Sequence, residues 1–319
     1  MRIFVAGGSG TIGVPLVRSL VQAGHQVTAT TRSVGKQGML RALGATPVVV
    51  DALDADALTG ALRSAAPTHV IHQLTALPRT GPRRASDLEA TNRLRDEGTR
   101  NLLRAAIAVK ATRLIGGSFA LLGAEPAPTA ADSPIEAAGD AVRSMESQIT
   151  SAARAGSIEG IVLRYGMFYG AGSPSTQELL DLVRRRRLPA IWHDRGQLPY
   201  IHLDDAVSAT IAALDRGRSG ETYVIVDDQA MSFSDMVRAL AAAAGAPRPI
   251  TIPAWLLRLV MPYLARLLAV RQSLSNAKGA AELGWHPRYS TIHDGVAQML
   301  GIRAREGTPP DPLSPGRSG

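Results

Sequence analysis

The 319-residue chain is 45% hydrophobic and has no cysteine, so it can bury a large core but cannot form disulfides, thiolate metal sites or cysteine nucleophiles. Its formal charge of +8 comes mainly from dispersed arginines with few aromatics between them, a pattern unlike a nucleic-acid surface. No apolar run approaches the roughly 20 residues of a membrane span and no basic, apolar leader precedes the first predicted strand, so the expectation is a cytoplasmic protein without membrane or nucleic-acid partners and without a metal site.

The chain opens with Ile3 to Ala6, an apolar run too short for a helix and suited to a strand buried on both faces. Gly7, Gly10 and Gly13 follow at three-residue spacing within GGSGTIG. A tight turn, close approach to a pyrophosphate and close packing of helix on strand each exclude a Cβ. The helix predicted from Thr11 to Ala23, stopped by Gly24, would turn its free N–H groups and positive dipole end toward the phosphates, with Ser9, Thr11 and Ile12 beside them.

A second strand, Gln26 to Thr30, ends where NAD sites carry an acidic residue for the ribose hydroxyls. Here Thr31, Arg32 and Ser33 stand at that point with Lys36 just beyond, a set that suits a 2′-phosphate, so NADP(H) is expected over NAD(H); the alternative is that Arg32 is an ordinary surface arginine. The third strand, Thr46 to Val50, delivers Asp51 and Ala52 to the ligand edge, where Asp51 either meets the adenine or, with Asp54 and Asp56 competing, caps the helix from Ala55 to Ala65. His69 to His72 is a fourth strand and Gln73, Leu74 and Thr75 leave it at the same edge. This alternation predicts an α/β fold with a doubly wound parallel sheet.

Leu77 to Arg84 breaks the pattern with prolines, a glycine and arginines and reads as a loop or lid; a long helix follows from Ser86 to Ala108. Arg113 to Gly117 is the fifth strand and places Ser118 at the ligand edge. An Ala, Pro and Asp-rich loop, a helix from Glu136 to Ala153 and a sixth strand from Gly160 to Arg164 come next. Arg184 to Arg187 follows Leu179, Leu180, Leu182 and Val183, so it reads as the solvated end of an amphipathic helix, with phosphate or membrane-surface binding as the alternative. Val207 to Leu214 is helical, Thr222 to Val226 returns to the sheet, Ser232 starts a further helix, and Pro253 to Leu268 is an apolar helix interrupted by Arg258, Pro262 and Arg266.

GGSGTIG, EGTRNLLRAA (Glu97 to Ala106), LRYGMFYG (Leu163 to Gly170), YIHLDDAVSA (Tyr200 to Ala209) and NAKGAAELGWHP (Asn276 to Pro287) together resemble the extended short-chain dehydrogenase/reductase superfamily, which includes epimerases and dehydratases of nucleotide sugars. The resemblance, which reaches to about Gly301, implies a Rossmann domain over 1–170, completed by about 200–228, and a smaller and mostly helical substrate-binding region over 171–199 and 229–302; the Pro, Gly, Ser and Arg-rich stretch over 303–319 has little to bury and is expected to be disordered. It implies that Gly7, Gly10 and Gly13 hold the pyrophosphate, that Arg32 selects NADP, and that Asp51, Gln73 to Ala76, Tyr165 and Gly166 line the cofactor. It also implies a homodimer through the helices at 86–108 and 136–153, although some relatives are monomers.

Catalysis in that superfamily combines a Ser or Thr at the exit of the fifth strand with a Tyr and a Lys four residues apart on the next helix. Ser118 matches the first, but the register through VRSMESQ puts Ala141 and Met145 at the other two, and Phe119 to Arg164 contains no Tyr, Lys or His. Acid–base help of roughly 10²- to 10⁴-fold must come from elsewhere or be unneeded. The candidates are Tyr165, Tyr169, Tyr200, His193 and His202, or Asp140, Arg143 and Glu146 on the altered helix.

The leading expectation is an atypical NADP(H)-dependent oxidoreductase for a small metabolite such as an iminium or conjugated carbonyl, with water or a nonstandard residue supplying the proton. The alternatives are a redox-neutral isomerase, cyclase or dehydratase, and a non-catalytic NADP(H) sensor that binds a protein partner.

Overall fold

In β1 (Arg2–Ala6) successive side chains enter opposite cores, Ile3 and Val5 on one face and Phe4 and Ala6 on the other, as expected of a strand covered on both sides. The structure, a computed structural model, describes residues 1–78, 82, 86–123, 134–260, 265, 268 and 274–301. Ten further strands follow: β2 (Gln26–Thr31), β3 (Thr46–Val49), β4 (His69–His72), β5 (Arg113–Phe119), β6 (Glu159–Tyr165), β7 (Met167–Tyr169), β8 (Ala190–Trp192), β9 (Tyr200–His202), β10 (Thr222–Ile225) and β11 (Thr251–Pro253).

Seven strands form one sheet in the order β10-β6-β5-β4-β1-β2-β3, every neighbouring pair parallel. Strand order reverses between β1 and β4, which opens a crevice at the carboxyl ends of these two strands. Leu16, Leu20, Leu40, Ala206 and Ala213, on the helices Gly13–Gln22, Gln37–Ala42 and Leu203–Arg216, fill one core. Leu58, Leu62, Leu102, Met145 and Ile149, on the helices Ala55–Ala65, Thr99–Ala108 and Pro134–Arg154, fill the other.

The long helix expected from Ser86 to Ala108 is present but contains a π turn at Leu94–Gly98 between α-helical segments. Asp54, whose side chain accepts from Ala57 N at 2.9 Å, caps the helix at Ala55, so the competition with Asp51 resolves in its favour. Thr222–Ile225 rejoins the sheet beside β6, as the pattern predicts.

A separate core gathers Tyr169, Leu180, Leu198, Tyr200, Met236, Val237, Leu240, Ile292 and Val296. Two parallel strand pairs support it, β7 with β9 and β8 with β11, each only three residues long. Strands this short carry no alternation that could be read in the sequence. Of the apolar stretch from Pro253, Ala254–Val260 is helical; 261–264, the loop at 124–133, most of the lid segment and the tail at 303–319 lie outside the described residues. Among the described residues no helix is long and apolar enough to cross a membrane.

Candidate active site

The crevice at the strand-order reversal forms a cleft of about 230 Å³ lined by Gly7, Ser9, Gly10, Thr30 to Ser33, Lys36, Val50, Ala52, Gln73, Leu74, Thr75 and Leu94. Gly7 adopts φ +89°, and a Cβ there would stand 2.5 Å from the Gln73 carbonyl oxygen. A Cβ on Gly13 would overlap the Gly7 carbonyl oxygen. Gly7 N donates to Thr30 Oγ1 at 2.9 Å and Gly10 N to Gly7 O at 3.0 Å, which fixes the turn. No side chain caps the helix Gly13–Gln22; Val14 N donates to Gly10 O at 3.1 Å and Leu16 N to Ile12 O at 3.0 Å, and Pro15 has no N–H, so what the helix end offers an anion is its dipole and the open glycine turn before it. The turn therefore fits a dinucleotide pyrophosphate.

At the far side of the cleft Thr31 Oγ1 accepts from Ser9 Oγ at 3.0 Å and from Ser33 N at 3.1 Å. Arg32 and Lys36 stand exposed on the lining, and Arg32 has no ion pair among the described residues. Asp51 lies outside the lining: its Oδ1 accepts from Leu53 N at 3.0 Å and so shapes its own turn, while Ala52 faces the cleft. Thr11 and Ile12 are not part of the lining either, and Ile12 is buried in the core beneath the turn. Gly166 serves close packing, since a Cβ there would come within 2.8 Å of the Tyr200 backbone. Thr30 and Leu94 are lining residues that no motif announces.

Ser118 sits at the end of β5, one residue beyond Gly117, whose absent side chain leaves room for the Gln73 amide. Its Oγ donates to Glu146 Oε1 at 2.5 Å. The Arg164 guanidinium grips the same carboxylate, Nε to Oε1 at 2.9 Å and Nη2 to Oε2 at 2.6 Å. Parallel register makes this possible by placing Ser118 directly opposite Arg164 on β6. A Cβ on Gly116 would collide with Ile149, so the missing side chain lets the helix Pro134–Arg154 lie close to β5 and brings Glu146 within reach.

That helix is fixed from its other side by Asp96, which accepts from Ser144 Oγ at 2.6 Å and Gln148 Nε2 at 3.1 Å. The hydrogen bond from Ser144, followed by the interactions with Arg100 and Gln148, holds the Asp96 carboxyl below the usual carboxylate range. Arg164 is the member of this cluster that sequence reasoning missed. The available signal was a lone charge at the end of the apolar run IVLR.

The three tyrosines expected as catalytic candidates occupy structural positions instead. The Tyr165 hydroxyl is buried between Gln73 Nε2, at 3.1 Å, and Thr210 Oγ1, at 2.7 Å, and burial pushes it up to about 12. It lies on the opposite face of the sheet from Ser118, because it is one residue beyond Arg164 on β6. The fully buried Tyr169 donates to Asp227 Oδ2 at 2.9 Å. Tyr200 is buried with its hydroxyl unpartnered among the described residues. Burial raises the pKa of both, and neither is poised to lose a proton.

His202 is also structural. Its Nδ1 accepts from Asp204 N at 3.2 Å as a helix cap, and its ring packs on Tyr169 and Tyr289. His193 is exposed and stacked on Trp192, and Asp140 pairs with Arg143 on the helix surface. Of the replacements proposed on the altered helix, only Glu146 meets Ser118.

The sheet, the glycine turn and the serine at the exit of β5 define an extended short-chain dehydrogenase/reductase, an enzyme scaffold of oxidoreductase type. The chain belongs to the NAD dependent epimerase/dehydratase family, whose model matches residues 3–226. It is 34% identical over 310 residues to a 3-diazoavenalumate denitrifying reductase from Streptomyces sp, covering 93% of this chain and 100% of the relative. It is 26% identical to a 2-alkyl-3-oxoalkanoate reductase from Stenotrophomonas maltophilia, covering 78% of this chain and 77% of the relative. The fold matches that of a UDP-glucose 4-epimerase from Thermus thermophilus in complex with NAD, with a TM-score of 0.75, 23% identity and coverage of 95% of this chain and 98% of that one.

Proposed function

We propose that this enzyme is an NADPH-dependent reductase of a small conjugated electrophile whose reduction needs no proton from a side chain. The observation that carries the reading is the Ser118–Glu146–Arg164 cluster, which joins the end of β5 to the helix on which a Tyr and a Lys are expected. A reduced nicotinamide bound in the cleft supplies a hydride. Gly7 and Gly10 line the cleft where its pyrophosphate would lie, Gly13 lets the helix pack against that turn, and Arg32 and Lys36 offer two cations to a 2′-phosphate at the end of a strand that lacks the acidic residue an NAD site uses. The nicotinamide-dependent structural neighbours support the cofactor class, and the two basic residues support the phosphorylated form.

The reductase from Streptomyces sp indicates a substrate type, an arene carrying a diazo group. In its diazonium form such an arene accepts one hydride and loses dinitrogen: ArN₂⁺ and H⁻ become ArH and N₂. No proton enters or leaves this balance, so a site without the Tyr and Lys loses nothing. An iminium is likewise reduced by hydride alone, whereas a ketone leaves an alkoxide that must be protonated.

The purified protein with NADPH and a water-soluble aryl diazonium salt, 4-carboxybenzenediazonium, is expected to consume NADPH and release benzoate in equal amounts above the protein-free background, with NADH a poor substitute. Tight NADPH binding with no oxidation by this salt or by a cyclic iminium would overturn the reading.

A further inference from the structure

A serine hydroxyl has one proton to donate and two lone pairs to accept with. In this enzyme the Ser118 proton is committed to Glu146 Oε1 at 2.5 Å. Both carboxylate oxygens are forked by Arg164, at 2.9 and 2.6 Å, so Glu146 acts as an acceptor toward Ser118. Ser118 and Glu146 are both buried, so the hydrogen bond between them is shielded from bulk water.

Turning the hydroxyl toward a substrate carbonyl would break a charge-assisted hydrogen bond to make a neutral one, and the charge-assisted bond is the stronger. What Ser118 has left to offer a ligand at the carboxyl end of β5 is therefore its lone pairs. The resemblance had implied a serine that donates to a substrate oxygen, and here its polarity is reversed.

We infer that Ser118, set by Glu146 and Arg164, is an acceptor that selects a cationic or N–H-donating group at the reacting end of the substrate and disfavours a carbonyl oxygen there. Ser118 is the residue that touches the substrate. Glu146 and Arg164 are positioning residues that act through it. Their charges compensate one another, so selection comes from the direction of the Ser118 lone pairs rather than from net charge. This assignment rests on the reductase reading for its place in the reaction, and it names the class that site takes: aryl diazonium or iminium electrophiles. For the diazonium the atoms balance as given above, with the hydride coming from NADPH and the nitrogen leaving as N₂; for an iminium the same hydride adds to carbon and the nitrogen stays in the product amine.

Binding tests the polarity independently of turnover. Calorimetry on the NADP⁺-loaded protein would compare 4-hydroxybenzamidine, a cation with N–H donors, with 4-hydroxyacetophenone, a carbonyl compound of similar size. The amidine is expected to bind at least about tenfold more tightly, the scale of one hydrogen bond to a charged group. In S118A, which removes a single oxygen, and in E146L/R164M, which removes the acceptor behind the serine without changing net charge, the ratio is expected to fall toward one while NADP⁺ affinity stays unchanged. A purely structural role for the Glu146–Arg164 pair would weaken both ligands together and leave the ratio intact. If the double variant does not fold, as judged by thermal unfolding, S118A alone decides.

Equal or tighter binding of the ketone, or an unchanged ratio in S118A, would overturn the assignment. The two readings fail separately. A Ser118-dependent amidine preference without NADPH oxidation by any electrophile sinks the reductase but keeps the acceptor. Diazonium turnover without that preference does the reverse.

Discussion

The Tyr169 hydroxyl donates to Asp227 Oδ2 at 2.9 Å, both groups buried where β7, β9 and the end of β10 meet the helix Ile292–Met299. Burial pushes the Asp227 carboxyl from its ordinary value of 3.8 up to about 8, with the hydrogen bond from Tyr169 opposing the shift. Through neutral pH the folded protein thus keeps a proton that the unfolded chain releases. The stability that this group contributes is full below about 4, falls as pH rises from there to about 8, and is level beyond. D227N keeps an acceptor for Tyr169 but cannot ionise. It is expected to be more stable than the parent at pH 8 and above, by a few kcal/mol at most, with the decline flattened. Urea unfolding from pH 5 to 9 checks this, and parallel curves for the two proteins would refute it.

His72 gives the opposite slope. Its Nδ1 accepts from Leu74 N at 3.2 Å, which leaves Nε2 as the protonated nitrogen that donates to Thr99 Oγ1 at 2.9 Å. Burial, and then the nearby Arg95 charge, lower its pKa to about 4. A depressed histidine costs stability when the unfolded chain takes up the proton first. Stability is therefore complete above about 6.5 and lost as pH falls toward about 4. H72Q is expected to remove most of that acid limb, worth at most about 3 kcal/mol, in the same unfolding series.

Two glycine substitutions separate the cradle from ordinary turn chemistry. G13A drives a methyl into the Gly7 carbonyl and is expected to weaken NADPH binding by roughly 100-fold or more and to lower the melting temperature. G24A meets nothing within 4 Å but must adopt φ +80°. It is expected to cost about 1 kcal/mol with unchanged NADPH affinity. Fluorescence titration together with thermal unfolding reads both.

The basic edge of the cleft is tested by R32A and K36A. Each is expected to weaken NADPH by about tenfold and the pair by more, with NADH little affected, because both side chains are exposed and the protein holds Lys36 only by a long hydrogen bond to Ser9 O at 3.5 Å. Loss of NADH affinity in equal measure would show that the residues hold the fold of the turn instead.

The sequence alone determined the parallel sheet, the glycine turn and the place of Ser118, because these rest on local signals: an apolar run, glycines where a Cβ collides, and strand alternating with helix. It also showed that no Tyr, Lys or His lies between Phe119 and Arg164. It could not assign the tyrosines, since the face each one takes depends on strand register. Tyr165 and Arg164 are neighbours in the chain, yet one enters the core at Thr210 and the other reaches Glu146 on the opposite face. Nor could it join Ser118 to Glu146, which are 28 residues apart and meet only because Gly116 lets the helix lie close to β5. Only the tertiary structure decided the chemistry of the serine, because whether a hydroxyl donates to its ligand or accepts from it is set by the group behind it, and folding brings that group there.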